Sequence, residues 1–335
     1  MQIFNKQSYT TAGFFTLGLR LVIGWTYFSA FWRRLILENK LIEEEAGYIG
    51  VKFNHFLPNA LGIKPLIEYL VTHPEALWWS MVIFTIVEAI VGLFIMLGLF
   101  TRLMSVGVFF LAMGILLGSG WIGTTCLDEW QIGVLGVASG FMLFLTGGGY
   151  GSLDYYFSKK GKAFTTKKWF SYLGSGELYI KNLKPIVFIG SFAILFLTLY
   201  TNQIFHGGVF GTLHNKSVKP KLELADVTWH GDKLEFEVYR VEGADVYGSF
   251  LIGVQLETTD GEILYKWDGE ALAKMGKDNI NNHYVAKVAP GKHSLVIPLG
   301  AKAIMTFNPE IAHPGKSVVL RLIDISGLEW TAEVN

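Results

Sequence analysis

The sequence predicts an α-helical integral membrane protein, a four-helix bundle plus a fifth transmembrane helix. A C-terminal all-β sandwich domain is predicted outside the membrane. Three observations carry this reading. Apolar residues make up 51% of the 335-residue chain and charged residues only 17%. Five apolar runs lie before residue 207, as expected of helices crossing a hydrocarbon core of about 30 Å. From Lys219 onward the texture changes to short β-rich runs separated by Gly-Asp, Asp-Gly and Pro-Gly turns.

The totals also exclude. Lys and Arg number 28, as do Asp and Glu, so the basic surface that nucleic acid needs is missing. A single cysteine rules out an internal disulfide, a CxxC pair and a cysteine-cluster metal site. The eight histidines are scattered without ligand spacing, so no metal is expected. No glycine-rich nucleotide loop follows a strand, so neither a nucleotide nor a flavin is expected.

In chain order, residues 1–11 are polar and are not read as a cleaved signal, because the following apolar run is long and lacks a small-residue exit. Residues 12–32 form the first predicted span, ending at Trp32-Arg33-Arg34, an aromatic and two cations at a membrane boundary. Residues 35–77 are mixed in charge and read as a long loop with short helices. Residues 78–100, 103–117 and 129–146 are the next three spans. Residues 147–154, rich in glycine, stop the last of them. A lysine-rich stretch, 158–184, precedes the fifth span at 185–206. The predicted domains are therefore 1–157, 158–184, 185–206 and 217–335. Five β runs are predicted in the last: 222–230, 233–241, 249–258, 293–299 and 317–323. Short strands at this spacing indicate a sandwich.

Orientation follows from the basic residues. Residues 158–184 carry seven lysines against Glu177 alone, which predicts a cytoplasmic location for that stretch. The N-terminus is then inside. The 35–77 loop, the 118–128 loop and the β-domain are outside, in the cytoplasmic (inner) membrane of a prokaryote.

The densest chemistry lies between the third and fourth spans, where Cys126 is followed by Asp128, Glu129, Trp130 and Gln131 and preceded by Trp121. A cysteine just before a helix N-terminus has its thiolate favoured by backbone N–H groups and the helix dipole. Arg33 and Arg34 reach the same predicted surface and are suited to gripping an oxyanion. The plain alternatives are a buried cysteine and arginines that anchor the interface. Two charges fall inside apolar runs, Arg20 and Glu88, each about nine to ten residues deep. At about 1.5 Å per residue both reach the midplane, which predicts an Arg20–Glu88 ion pair. Gly114-x-x-x-Gly118 and Gly136-x-x-x-Gly140 predict close helix packing.

Arg20, Glu88, Leu97-Gly-Leu-Phe-Thr-Arg102 and Gly149-Tyr-Gly-Ser-Leu-Asp154 resemble the DoxX/DoxD membrane family. Trp32-Arg33-Arg34 and the stretch from Gly120 to Gln131 resemble the DoxD subunit of thiosulfate:quinone oxidoreductase. The fifth span and β-domain resemble its DoxA subunit. The resemblance implies oxidation of two thiosulfates to tetrathionate, with electrons passed to a membrane quinone (menaquinone or ubiquinone). For that reaction Cys126 is the expected thiol nucleophile, and Asp128 or Glu129 is expected to move protons. Arg33, Arg34 and Trp121 are expected to bind thiosulfate. Arg20, Glu88, Trp32, Trp130 and Gln131 are expected to line the quinone site. The partners so implied are thiosulfate, quinone and the lipid bilayer, with homo-oligomerisation left open. Two alternatives stand beside it: a quinone-linked oxidoreductase of another thiol or sulfur anion, and a non-catalytic membrane assembly protein.

Overall fold

The computed structural model describes residues 6–45, 47–123, 128–244, 249–311 and 314–335. The chain folds into two compact units. One takes the described residues of Met1–Glu45, Trp78–Gly120 and Leu127–His214; the other takes those of Ala46–Leu77, Trp121–Cys126 and Asn215–Asn335.

The first unit is helical. It is built from α1 (Lys6–Phe15), α2 (Leu17–Phe31), α5 (Pro74–Leu97), α6 (Thr101–Ser119), α7 (Asp128–Thr146), α8 (Leu153–Lys159), α9 (Lys168–Leu173) and α10 (Leu183–His206). Helices α5, α6, α7 and α10 are long and apolar enough to cross a membrane; α1 with α2, bent by 55°, makes a fifth span if the pair is counted as one. The apolar exterior is what lipid requires: Phe188, Phe192 and Phe196 of α10 are all exposed.

The expected single helix over 12–32 is in fact broken at Thr16. The Thr16 hydroxyl turns back to donate to the Gly13 carbonyl at 3.0 Å. The break also brings Gly13 against Gly149, where a Cβ on Gly13 would fall 2.7 Å from the Gly149 Cα.

Glycines set the approach of α6 and α7. A Cβ on Gly136 would meet the Ala112 Cβ at 2.6 Å, and one on Gly140 the Phe109 nitrogen at 2.8 Å. Gly114, expected to pack in the same way, faces open space instead.

The second unit is the β-domain together with α3 (Ile49–Asn54), a 3-10 turn at Leu57–Asn59 and α4 (Lys64–Thr72). Its strands are β1 (Lys221–His230), β2 (Lys233–Glu242), β3 (Ser249–Thr258), β4 (Ile263–Asp268), β5 (Ile280–Asn282), β6 (Ala289–Pro290), β7 (Leu295–Ile297), β8 (Lys302–Phe307), β9 (Val318–Asp324) and β10 (Glu329–Val334). A short helix α11 (Gly269–Ala273) follows β4. All pairings are antiparallel. One sheet runs β1-β2-β8-β5 and the other β10-β9-β3-β7-β6, with β4 also paired to β3. Alternating inward residues such as Leu234, Phe236 and Val238 of β2 and Ala303, Met305 and Phe307 of β8 fill the core. Five of these strands lie outside the predicted runs: β4, β5, β6, β8 and β10.

The 35–77 loop supplies Asn54 to this unit. Its amide donates to the Gly300 carbonyl at 2.8 Å and accepts from the Ala286 N–H at 3.2 Å, with the residue fully buried. Asn54→Ala leaves both backbone groups buried and unpaired, a loss of about 2–3 kcal/mol. Thermal unfolding of the purified protein should show a clearly lowered midpoint, and an unchanged midpoint would refute the role.

Candidate functional site

Glu88 sits well inside α5, nine residues before its end at Leu97. A charge at that depth needs a partner, and it has one. Beyond Phe31 the chain leaves α-helical geometry for a π-helical stretch, Trp32–Leu37, a winding that recurs at functional sites. From it Arg34 turns into the bundle. Its Nη1 lies 2.6 Å from Glu88 Oε2 and donates to Thr85 Oγ1 at 2.9 Å. Thr85 in turn donates to the Met81 carbonyl at 2.7 Å. The guanidinium also stands 5.7 Å from the centre of the Phe84 ring. The side chains are 14% and 4% exposed for Arg34 and Glu88. Tyr27, buried in the bundle core, lies within electrostatic reach of Glu88.

The expected Arg20–Glu88 pair does not form. The break at Thr16 puts Arg20 in the first turn of α2 rather than near the middle of a longer helix. Its guanidinium instead donates to the carbonyls of Gly148, at 2.5 Å, and Gly151, at 2.8 Å. It packs beside Gly98, ten residues past Glu88 and so about 15 Å further along the axis. Arg20 therefore belongs to the opposite end of the bundle from Arg34.

That opposite end is a structural hub. Asp154 accepts from the N–H groups of Phe100 (2.8 Å) and Thr101 (3.0 Å), and from the hydroxyls of Thr101 (2.9 Å) and Ser175 (2.7 Å). Arg102, fully buried, donates to the carbonyls of Phe144 (2.8 Å), Ser171 and Gly176 (2.6 Å). The glycine-rich turn and the Leu97–Arg102 motif thus meet in a set of hydrogen bonds that cap chain ends.

The two neighbouring arginines diverge. Arg33 stays on the exposed surface, its Nε donating to the Ser29 carbonyl at 3.3 Å. Beside it Trp25, Phe28 and Trp32 form a ladder, with successive ring centres 6.1 Å apart. Trp25 and Trp32 are exposed on the bundle exterior.

At the start of α7, Asp128 and Gln131 are exposed and Glu129 is half-buried. Trp130 donates from Nε1 to Thr201 Oγ1 at 3.0 Å, which ties α7 to α10. Cys126, with Thr124 and Thr125, lies outside the described residues. Trp121, fully buried, donates to the Phe56 carbonyl at 3.2 Å within the β-domain unit. In the same unit Gly123 is clamped. Its N–H donates to Ser217 Oγ at 2.9 Å, and its carbonyl accepts from Ser217 Oγ and Asn215 Nδ2, both at 2.6 Å.

Sequence reasoning did not single out Thr85, Asn215, Ser217 or His206. The buried His206 has Nε2 3.0 Å from the Gly120 carbonyl, so that nitrogen carries the proton. Its Nδ1 has no hydrogen-bond partner among the described residues. A threonine one turn before a buried glutamate was the one available signal; the rest arise from contacts distant in sequence.

Fold and site together define a multi-pass membrane protein with an arginine–glutamate pair inside its bundle and an all-β domain in the same chain. Residues 15–183 match the family described as TQO small subunit DoxD, and residues 205–333 match TQO small subunit DoxA. The chain belongs to the DoxD family and carries DoxA behind it, joining both small subunits of thiosulfate:quinone oxidoreductase in one polypeptide.

Proposed function

We propose that this protein oxidises thiosulfate to tetrathionate at the outer face of the cytoplasmic membrane and passes the electrons to a membrane quinone. The observation that carries the reading is the buried Arg34–Glu88 pair, with Thr85 accepting from Arg34, in a bundle whose α2 end carries an exposed aromatic ladder. A quinone must enter from lipid, find hydrogen-bond donors for its oxygens and receive protons. Arg34 offers donors, Glu88 offers a proton-carrying carboxylate, and Trp25, Phe28 and Trp32 offer a lipid-facing aromatic surface.

The balance is two thiosulfates, one quinone and two protons giving one tetrathionate and one quinol. The quinone supplies the two-electron sink. Cys126, as thiolate, forms a bond to the outer sulfur of the first thiosulfate as that electron pair leaves for the quinone. The second thiosulfate attacks the thiosulfate-derived sulfur of this adduct. The Cys126–sulfur bond breaks, tetrathionate departs and the thiolate is restored. Arg33 holds the sulfonate groups from the exposed surface. Glu88 delivers a proton inward, while Asp128 and Glu129 exchange protons with the medium. Asn215 and Ser217, through Gly123, hold the start of the segment that leads to Cys126.

The test is thiosulfate-dependent reduction of a soluble quinone analogue by the purified protein, with tetrathionate measured in parallel. Cys126→Ser is expected to abolish both, a loss of about a thousandfold or more as for other removed nucleophiles. Full tetrathionate production by Cys126→Ser would end the covalent route. Quinone reduction by sulfite or glutathione but not by thiosulfate would end the substrate assignment.

A further inference from the structure

We propose that residues 158–184 form a docking platform for anionic phospholipid headgroups, seated in the bilayer interface at the end of the bundle where α5 ends and α6 begins. The surface is built of two chemistries that soluble loops keep apart.

The first is charge. Lys159, Lys160, Lys162, Lys167, Lys168, Lys181 and Lys184 are all exposed. None of the seven makes an ion pair among the described residues. Lys160 lies 5.9 Å from the Tyr156 ring. Glu177 is the one acid in the stretch. The nearby arginines do not serve this surface, because Arg20 and Arg102 are buried and turn their guanidinium groups to backbone carbonyls.

The second is an outward aromatic face. On α9, Phe170 and Ser171 point into the protein. Trp169, Tyr172 and Leu173, spaced to share the other face, are 45%, 40% and 38% exposed. Tyr179 and Tyr156 are more than half exposed. In water such a face would be buried; amid lysines it has the composition of a membrane–water boundary.

The height of the platform decides between a cytoplasmic loop and an interfacial one. Arg102, in the first turn of α6, donates to the Ser171 and Gly176 carbonyls, and its N–H donates to the Gly174 carbonyl at 3.1 Å. The Phe100 ring stacks on Trp169 with centres 6.3 Å apart. These contacts pin α9 level with the ends of the membrane-crossing helices. There the lysines meet the headgroup phosphates and the aromatics the region just beneath. Unpaired positive charge at that level selects anionic over zwitterionic headgroups.

The test uses the full-length protein in mixed micelles with phosphatidylglycerol and phosphatidylcholine at equal mole fraction, and reads the lipid that co-purifies. Wild type is expected to enrich phosphatidylglycerol on the order of tenfold at low salt, falling toward unity at high salt. Changing all seven lysines to glutamine should abolish the enrichment, and changing all seven to arginine should preserve it. Trp169→Ala with Tyr172→Ala should lower total retained lipid while keeping the preference. Equal retention of both lipids by wild type, undiminished enrichment by the glutamine variant, or displacement of the lipid by millimolar inorganic phosphate would each overturn the proposal. A glutamine variant that fails to fold leaves the salt dependence of wild type to decide: enrichment that persists at high salt refutes it.

Discussion

Arg34→Met is expected to destabilise the bundle by about 3–5 kcal/mol, because it leaves a carboxylate buried without its counter-charge. Glu88 is 4% exposed and loses its direct ion-pair partner once the guanidinium is gone. Arg34→Met/Glu88→Leu removes both charges and should recover most of the loss, since well-packed apolar replacements of a buried pair are often neutral. The two variants separate structure from function. A double variant as stable as wild type but inactive in quinone reduction assigns the pair to proton and quinone handling. A double variant that is stable and fully active makes it a clamp and withdraws Glu88 from the proposed mechanism. Thermal midpoints in one detergent, read beside turnover, distinguish these results.

Asp154→Ala should cost about 4 kcal/mol or more, since hydrogen bonds to a charged group are worth roughly 1.5–3 kcal/mol each. Four donors converge on that carboxylate: two backbone N–H groups at the start of α6 and the hydroxyls of Thr101 and Ser175. Arg20 and Arg102 lie within its field, so its removal also leaves two buried cations without the nearby negative charge. Asp154→Asn keeps one acceptor oxygen and should fall between the two. Low yield and a lowered thermal midpoint for Asp154→Ala, with the Asn variant intermediate, are the expected results. A wild-type midpoint for Asp154→Ala would show that the hub is not where the bundle is held closed.

Much of the architecture was legible because hydrophobic burial is a local, additive signal. The five spans are legible as apolar runs, the first of them as the bent pair α1 and α2, and the sandwich as short runs between turns. The first span was misread in one respect: no hydropathy pattern reports that Thr16 turns its hydroxyl back onto Gly13. That one local bond moved Arg20 from the middle of a helix to its first turn and so exchanged the partner of Glu88. The strands at Lys302–Phe307 and Glu329–Val334 were missed because their residues carry weak or mixed preference, and pairing within the sheets makes them strands. The tryptophans were legible as amphipathic anchors, but not their targets: Trp130 reaches Thr201 and Trp121 reaches Phe56.

The sequence by itself determined that the chain crosses a membrane, carries a β-domain and belongs with the thiosulfate:quinone oxidoreductase subunits. Composition, periodicity and short motifs survive any rearrangement of their neighbours. Only the tertiary structure decided that Arg34 rather than Arg20 neutralises Glu88, and that Asn54 and Gly123 are bound within the β-domain unit. Those choices depend on a helix break, a π-helical turn and hydrogen bonds between residues far apart in the chain. A buried charge takes whichever partner the packed backbone brings within about 3 Å.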